Sequence, residues 1–130
     1  MNLKKSTVKP TEKELEILHV LWENGPCSVK QVHESMGGDE KNGYTTILKF
    51  LQIMFEKDIV SRQKSGKLHV YKAIATKENT KQQAVEKIIN TVFSGSASQL
   101  VMSALGNGNS SKEELREIRK YLDELDKGEQ

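Results

Sequence analysis

Apolar residues along the chain recur in six helix-like stripes interrupted once by a stretch of alternation. The first stripe follows Thr11-Glu12-Lys13-Glu14, a capping-box pattern. In such a box the threonine hydroxyl accepts from the backbone N–H three residues on, and the glutamate reaches back. Leu15, Ile17, Leu18, Val20, Leu21 and Trp22 then take helical spacings, and Asn24-Gly25-Pro26 predicts the stop. Ser28 with Gln31 restarts the pattern over Val29, Val32 and Met36, before Gly37-Gly38 breaks it. A third helix is predicted from Tyr44 to Lys57. After Asp58 the period drops to two: Ile59–Gln63 and Leu68–Ala73 read as strands, joined through Lys64-Ser65-Gly66-Lys67, where glycine supplies a positive φ. Helical period returns over 77–93 and 96–105. Gly106-Asn107-Gly108-Asn109 makes a turn, and a last helix starts at the Ser111-Lys112-Glu113-Glu114 capping box and carries Leu115, Ile118, Tyr121, Leu122 and Leu125.

Three helices followed directly by a hairpin predict a mainly α fold with a small β-hairpin wing: a winged helix-turn-helix domain plus a helical dimerisation region. The expected organisation is a flexible N-terminus over 1–10, a DNA-binding domain over 11–76 and a dimerisation domain over 77–126.

The third helix, YTTILKFLQIM, indicates what the domain touches. At roughly 100° per residue, Ile47, Phe50, Leu51 and Met54 share one side, with Tyr44 at its margin. Thr45, Lys49 and Gln52 share the other, with Thr46 and Ile53 just beyond. Solvated helix faces usually mix Glu, Lys and Arg; this one holds hydroxyls, one cation and one amide, with no carboxylate until Glu56. That set suits a DNA major groove, where glutamine can bond adenine and a carboxylate would meet phosphate repulsion. Arg62, Lys64 and Lys67 around the wing are placed for flanking phosphates.

Composition adds little to this picture and removes several alternatives. The net charge is +2 and the apolar share is 35%, lean for a lone globule and in keeping with a chain that buries apolar surface against a second copy. Residues 1–76 hold 12 Lys and Arg against 9 Asp and Glu, whereas 77–130 hold 8 against 9, so the basic bias falls on the wing-bearing half. The single cysteine, Cys27, precludes an intrachain disulfide or a cysteine cluster; beside Pro26 it reads as part of a turn rather than a redox handle. His19, His33 and His69 lack ligand spacing, so no metal or other cofactor is expected. Trp22 reads as core. No hydrolase or protease motif is present, and the chain is not expected to be an enzyme. With no apolar segment of membrane-spanning length, a soluble cytoplasmic protein is expected.

TEKELEILHVLWENGPCSVKQV and YTTILKFLQIMFEKDIVSRQKSGKLHVYKA together resemble the penicillinase-repressor (BlaI/MecI/CopY) family of bacterial winged-helix regulators. The resemblance is carried by Glu14, Ile17, Leu18, Leu21 and Trp22, by Tyr44-Thr45-Thr46-Ile47, and by Gly66 with Tyr71. It extends over about residues 11–125. It implies a homodimeric repressor on a palindromic operator, with DNA contacts from Thr45, Thr46, Lys49, Gln52, Arg62, Lys64 and Lys67. Dimerisation is then expected through Val85, Ile88, Ile89, Val92, Phe93, Leu100, Val101, Leu105, Leu115, Ile118 and Leu122. Three departures stand out. Glu56-Lys57-Asp58 replaces a K-K-G turn, and the C-terminal cysteines of copper-responsive members are absent. Ser103-Ala104 occupies the position at which β-lactam-responsive members are cut, downstream of a membrane-bound sensor protease pathway, at an Asn-Phe bond. Two other readings stay open at this point: a winged-helix module that docks on protein without specific DNA binding, and a regulator with a small-molecule pocket at the dimer interface.

Overall fold

The computed structural model describes residues 9–128, so residues 1–8 of the expected N-terminal tail lie outside the description. Six α-helices and three strands follow in the order α1 (Glu12–Asn24), β1 (Cys27–Ser28), α2 (Val29–Ser35), α3 (Tyr44–Glu56), β2 (Val60–Ser65), β3 (Leu68–Ala73), α4 (Lys77–Thr91), α5 (Ala97–Leu105) and α6 (Lys112–Gly128). A short 3₁₀ turn, Gly38–Glu40, lies between α2 and α3. The chain divides into two compact units, the first ending at Ala84 and the second starting at Val85.

Reciprocal capping boxes form at the first two helices, and at α6, where the sequence also predicts one, the Glu114 amide donates to Ser111 Oγ at 3.0 Å. The Glu14 amide donates to Thr11 Oγ1 at 3.3 Å, and Glu14 Oε1 accepts from the Thr11 amide at 2.9 Å. At α2 the Gln31 amide donates to Ser28 Oγ at 3.2 Å and Gln31 Oε1 accepts from the Ser28 amide at 2.8 Å. Each box satisfies two backbone donors that a helix start leaves unpaired, and a lost cap costs about 1 kcal/mol. Gly25, at φ 78°, closes α1 by donating to the Leu21 carbonyl at 2.9 Å.

The core of the first unit gathers Ile17, Leu18 and Leu21 from α1, Val29 and Val32 from α2, Ile47, Leu51 and Met54 from α3, and Ile59, Val60 and Tyr71 from around the sheet. Ile47, Leu51 and Met54 are fully buried. Burying each such side chain is worth about 1.5–3 kcal/mol, and together they fix which face of α3 turns outward. Trp22, read from sequence as core, is only half-buried: it packs at the core's edge, and its indole N–H donates to the Ala75 carbonyl at 2.8 Å.

The sheet has three antiparallel strands in the order β1-β3-β2, one more than the expected hairpin. Cys27 pairs with Tyr71 and Ser28 with Val70, while β2 and β3 pair from Val60 with Ala73 to Ser65 with Leu68. The hairpin closes through Gly66 and Lys67, with Gly66 at φ 65°. A glycine at the first central position is what a type II′ turn requires.

In the second unit, none of the described residues of α5 or α6 is buried, and the same holds along α4. Val85, Ile88, Val92, Val101 and Leu122 are exposed. Ile89, Phe93, Leu100, Leu105, Leu115 and Ile118 are half-buried.

Candidate nucleic-acid interface

Helix α3 is held at its start by two side chains from the preceding helices. His33 of α2, nearly buried, brings Nε2 to 2.8 Å from the Asn42 carbonyl oxygen and 3.0 Å from Asp39 Oδ1. A carbonyl can only accept, so Nε2 carries the hydrogen that holds it. The ring also meets Tyr44 edge-on at 5.8 Å. Lys13 of α1 donates to Asn42 Oδ1 at 3.1 Å, so the residues preceding α3 are tied to both earlier helices.

At the far end, Lys57 Nζ lies 3.1 and 3.0 Å from Glu14 Oε1 and Oε2. Glu14 is 1% exposed. This pair joins the end of α3 to the start of α1, and it uses the lysine of the divergent Glu56-Lys57-Asp58 turn. Asp58 adopts φ 64°, the left-handed conformation a glycine would take freely and aspartate tolerates better than most residues. The departure from K-K-G therefore leaves a turn of the glycine type.

Between these anchors, Thr45, Thr46, Lys49 and Gln52 are all exposed, together with Tyr44, Ile53 and Glu56. Arg62, Lys64 and Lys67 are exposed on the hairpin. The Arg62 guanidinium sits 4.0 Å from the centroid of the Phe55 ring, a cation–π contact that fixes it beside α3.

These residues divide between two flanks of the helix. Gln52, Arg62 and Lys67 share a groove of about 490 Å³ with Lys30 of α2 and His69 of β3. Thr46 and Lys49 border a shallow depression on the opposite flank, with Phe50 and Ile53 as its apolar lining. Lys64 stands apart, beside Gln63, Ser65 and Val70. Lys30 and His69 were not among the DNA-contact residues expected from the sequence, His69 having been weighed there only as a metal ligand. Lys30 reads as an ordinary solvated position, and His69 as one polar residue of an alternating strand, until the topology sets both on the groove. The groove lining contains no carboxylate.

Cys27 lies buried on β1, its thiol donating to the Gly25 carbonyl at 3.3 Å. Burial pushes the thiol's pKa up, which keeps it protonated and a poor nucleophile. Among the described residues no three His, Cys, Asp or Glu side chains are grouped to hold a metal ion, and no helix is long and apolar enough to cross a membrane.

A recognition helix, a hairpin beside it and a cationic groove free of carboxylates define a winged-helix DNA-binding protein. The penicillinase repressor family profile matches residues 10–124, and the chain belongs to that family of DNA-binding transcriptional repressors, which are not enzymes. A penicillinase repressor of Staphylococcus aureus is 19% identical over 114 residues, spanning 88% of this chain and 90% of that protein. Among solved structures, a MarR family protein from Bacillus stearothermophilus is similar at 15% identity and a TM-score of 0.50, over 96% of this chain and 79% of that one; it shares the fold. The Bacillus licheniformis BlaI monomer in complex with the blaP half-operator is 19% identical, with a TM-score of 0.48 over 55% of this chain and 88% of that one.

Proposed function

We propose that the chain represses transcription as a homodimer on a palindromic operator, reading sequence with Thr45, Thr46, Lys49 and Gln52 and gripping phosphates with Arg62, Lys64 and Lys67. The observation that carries this reading is the exposed polar ridge of α3, flanked by cations and held at both ends by contacts to α1 and α2. On a duplex, threonine and glutamine serve base edges while the cations displace counterions. Residues 11–76 are the reading domain in this scheme, and a DNA target sets its place of work in the cytoplasm.

Residues 77–126 form the dimerisation domain. Support comes from the second unit's physical state: three helices carry apolar stripes, yet no side chain of α5 or α6 is buried. Helices with no fully buried side chain are marginal in water, and a matching stripe on a second copy supplies what a single chain lacks. The apolar positions named above, from Val85 to Leu122, are the interface. Two linked half-site contacts bind far more tightly than one, so anything that parts the protomers releases DNA. Cutting at Ser103-Ala104, exposed in the last turn of α5, by a protease in a membrane-sensor pathway is the relief mechanism this arrangement favours. Helix ends open locally at low cost, giving a protease the extended backbone it needs.

The test is a fluorescence-anisotropy titration against the chain's own upstream intergenic DNA and a scrambled duplex, at two salt concentrations. Sequence-selective, salt-sensitive binding with two protomers per site is expected, and Lys49→Glu abolishes it while sedimentation still reports a folded dimer. Equal affinity for the scrambled duplex, or retained affinity in Lys49→Glu, overturns the reading face.

A further inference from the structure

The first unit also contains an apolar cavity of about 210 Å³ that the DNA face does not use. Its walls come from Lys9 and Pro10, from α1 and from the first half of α4. Leu15, Trp22 and Ala84 supply apolar surface, and Lys9, Lys77 and Lys81 stand among its lining residues. The Trp22 ring is held in place from two sides. Its N–H is committed to the Ala75 carbonyl at 2.8 Å, and His19 packs edge-on at 5.1 Å. The indole therefore presents a fixed hydrocarbon surface with no spare donor. Three lysines and one histidine line the cavity, and no carboxylate does. Lys81 pairs with Glu78 at 3.5 Å, and both side chains of that pair are well exposed, where such contacts are weak.

We propose that this cavity binds a small apolar monocarboxylate. The volume falls below the range that holds drug-sized ligands, which limits the occupant to a short alkyl chain or one ring. The apolar walls favour a hydrocarbon body, and the surrounding cations choose an anionic head over a neutral or cationic one. The site is separate from the recognition helix and does not depend on how the protein reads DNA.

Trp22 is the chain's single tryptophan and lines the cavity, so its emission reports occupancy directly. Octanoate, titrated into the intact protein without DNA, is expected to change that emission saturably with a dissociation constant on the order of 0.1 mM. Calorimetry should give the same value. Octylamine, with the same tail and the opposite charge, should bind at least about tenfold more weakly. Lys77→Glu/Lys81→Glu should weaken octanoate binding about tenfold, and Ala84→Phe, which fills the space from a surface position, should eliminate it. An unsaturable response, equal binding of octylamine, or unchanged octanoate affinity in both variants overturns the proposal. So does a Trp22 emission that shifts on protein dilution and that octanoate merely reverses, because the cavity would then belong to a contact between copies.

Discussion

Replacing Lys57 with methionine tests whether the Glu14–Lys57 pair fixes the recognition helix. The carboxylate is buried and accepts from the ammonium through both oxygens, at 3.1 and 3.0 Å, and from the Thr11 amide at 2.9 Å. Methionine keeps most of the stem's packing and removes the charge, leaving the carboxylate with the Thr11 amide but without its cation. The gross attraction at this separation is about 5 kcal/mol at an effective dielectric near 20, and desolvating Glu14 offsets a large part of it. The lysine side chain is itself 35% exposed, so water screens the pair and re-solvates the site in the variant. A net loss of about 2 kcal/mol follows, or roughly 10 °C in Tm for a unit of this size. Glu14→Gln retains an acceptor for Thr11 and frees Lys57 to solvent, so it should cost about 1 kcal/mol. The double variant should lose about 1 kcal/mol less than the sum of the singles. Urea unfolding followed by Trp22 emission, with an unchanged m-value, measures all three. A coupling below about 0.3 kcal/mol would show that the pair is ornamental and that packing alone sets α3.

Three further outcomes are expected. Asp58→Gly should stay within about 0.5 kcal/mol of the parent in urea unfolding, because relief of the left-handed strain offsets glycine's entropy, whereas Asp58→Val should lose about 2 kcal/mol. For Cys27 the buried thiol keeps its proton to higher pH than the unfolded chain does, so above the ordinary thiol value of about 8.5 the unfolded state binds fewer protons and stability falls as pH rises; Cys27→Ala should flatten that fall in urea midpoints measured from pH 8 to 10. If Arg62 neutralises a phosphate, Arg62→Ala should lower affinity for operator and scrambled duplex alike and reduce the slope of log affinity against log salt by about 1 in anisotropy titrations.

Elements whose causes are local were legible from the sequence. The Thr11 capping box, the Gly25 stop and the Gly66 turn are written within a few residues of where they act, and they form as the pattern predicts. The outward face of α3 was equally legible, because three buried residues at helical spacing determine it. Strand β1 was not, since two residues carry no period and pair only because β3 arrives some forty positions later. Nor was the role of His33: its partners Asp39 and Asn42 lie across a glycine-rich turn whose path no propensity specifies. Trp22 was over-assigned to the core for a related reason. Spacing shows which face a residue shares, while its depth depends on what covers it, and here the indole packs against the core with its N–H donating to the Ala75 carbonyl.

The short strand β1 also decides how much of the hairpin can adapt. Ser28 and Cys27 clamp β3 at Val70 and Tyr71, so the base of the wing is laced to the first turn of α2 and cannot swing by itself. What extends past the clamp is a six-residue finger, 64–69, whose two arms pair only with each other, Lys64 with His69 and Ser65 with Leu68. If the proposed face reads DNA, binding is by a rigid key with a pliable tip: α2, α3 and the wing base would approach as one piece, and the finger would adjust to local groove width. Lengthening the finger would extend the footprint without retuning the key, so the hairpin tip is the natural place for evolution to change how much DNA is covered while leaving which sequence is read untouched.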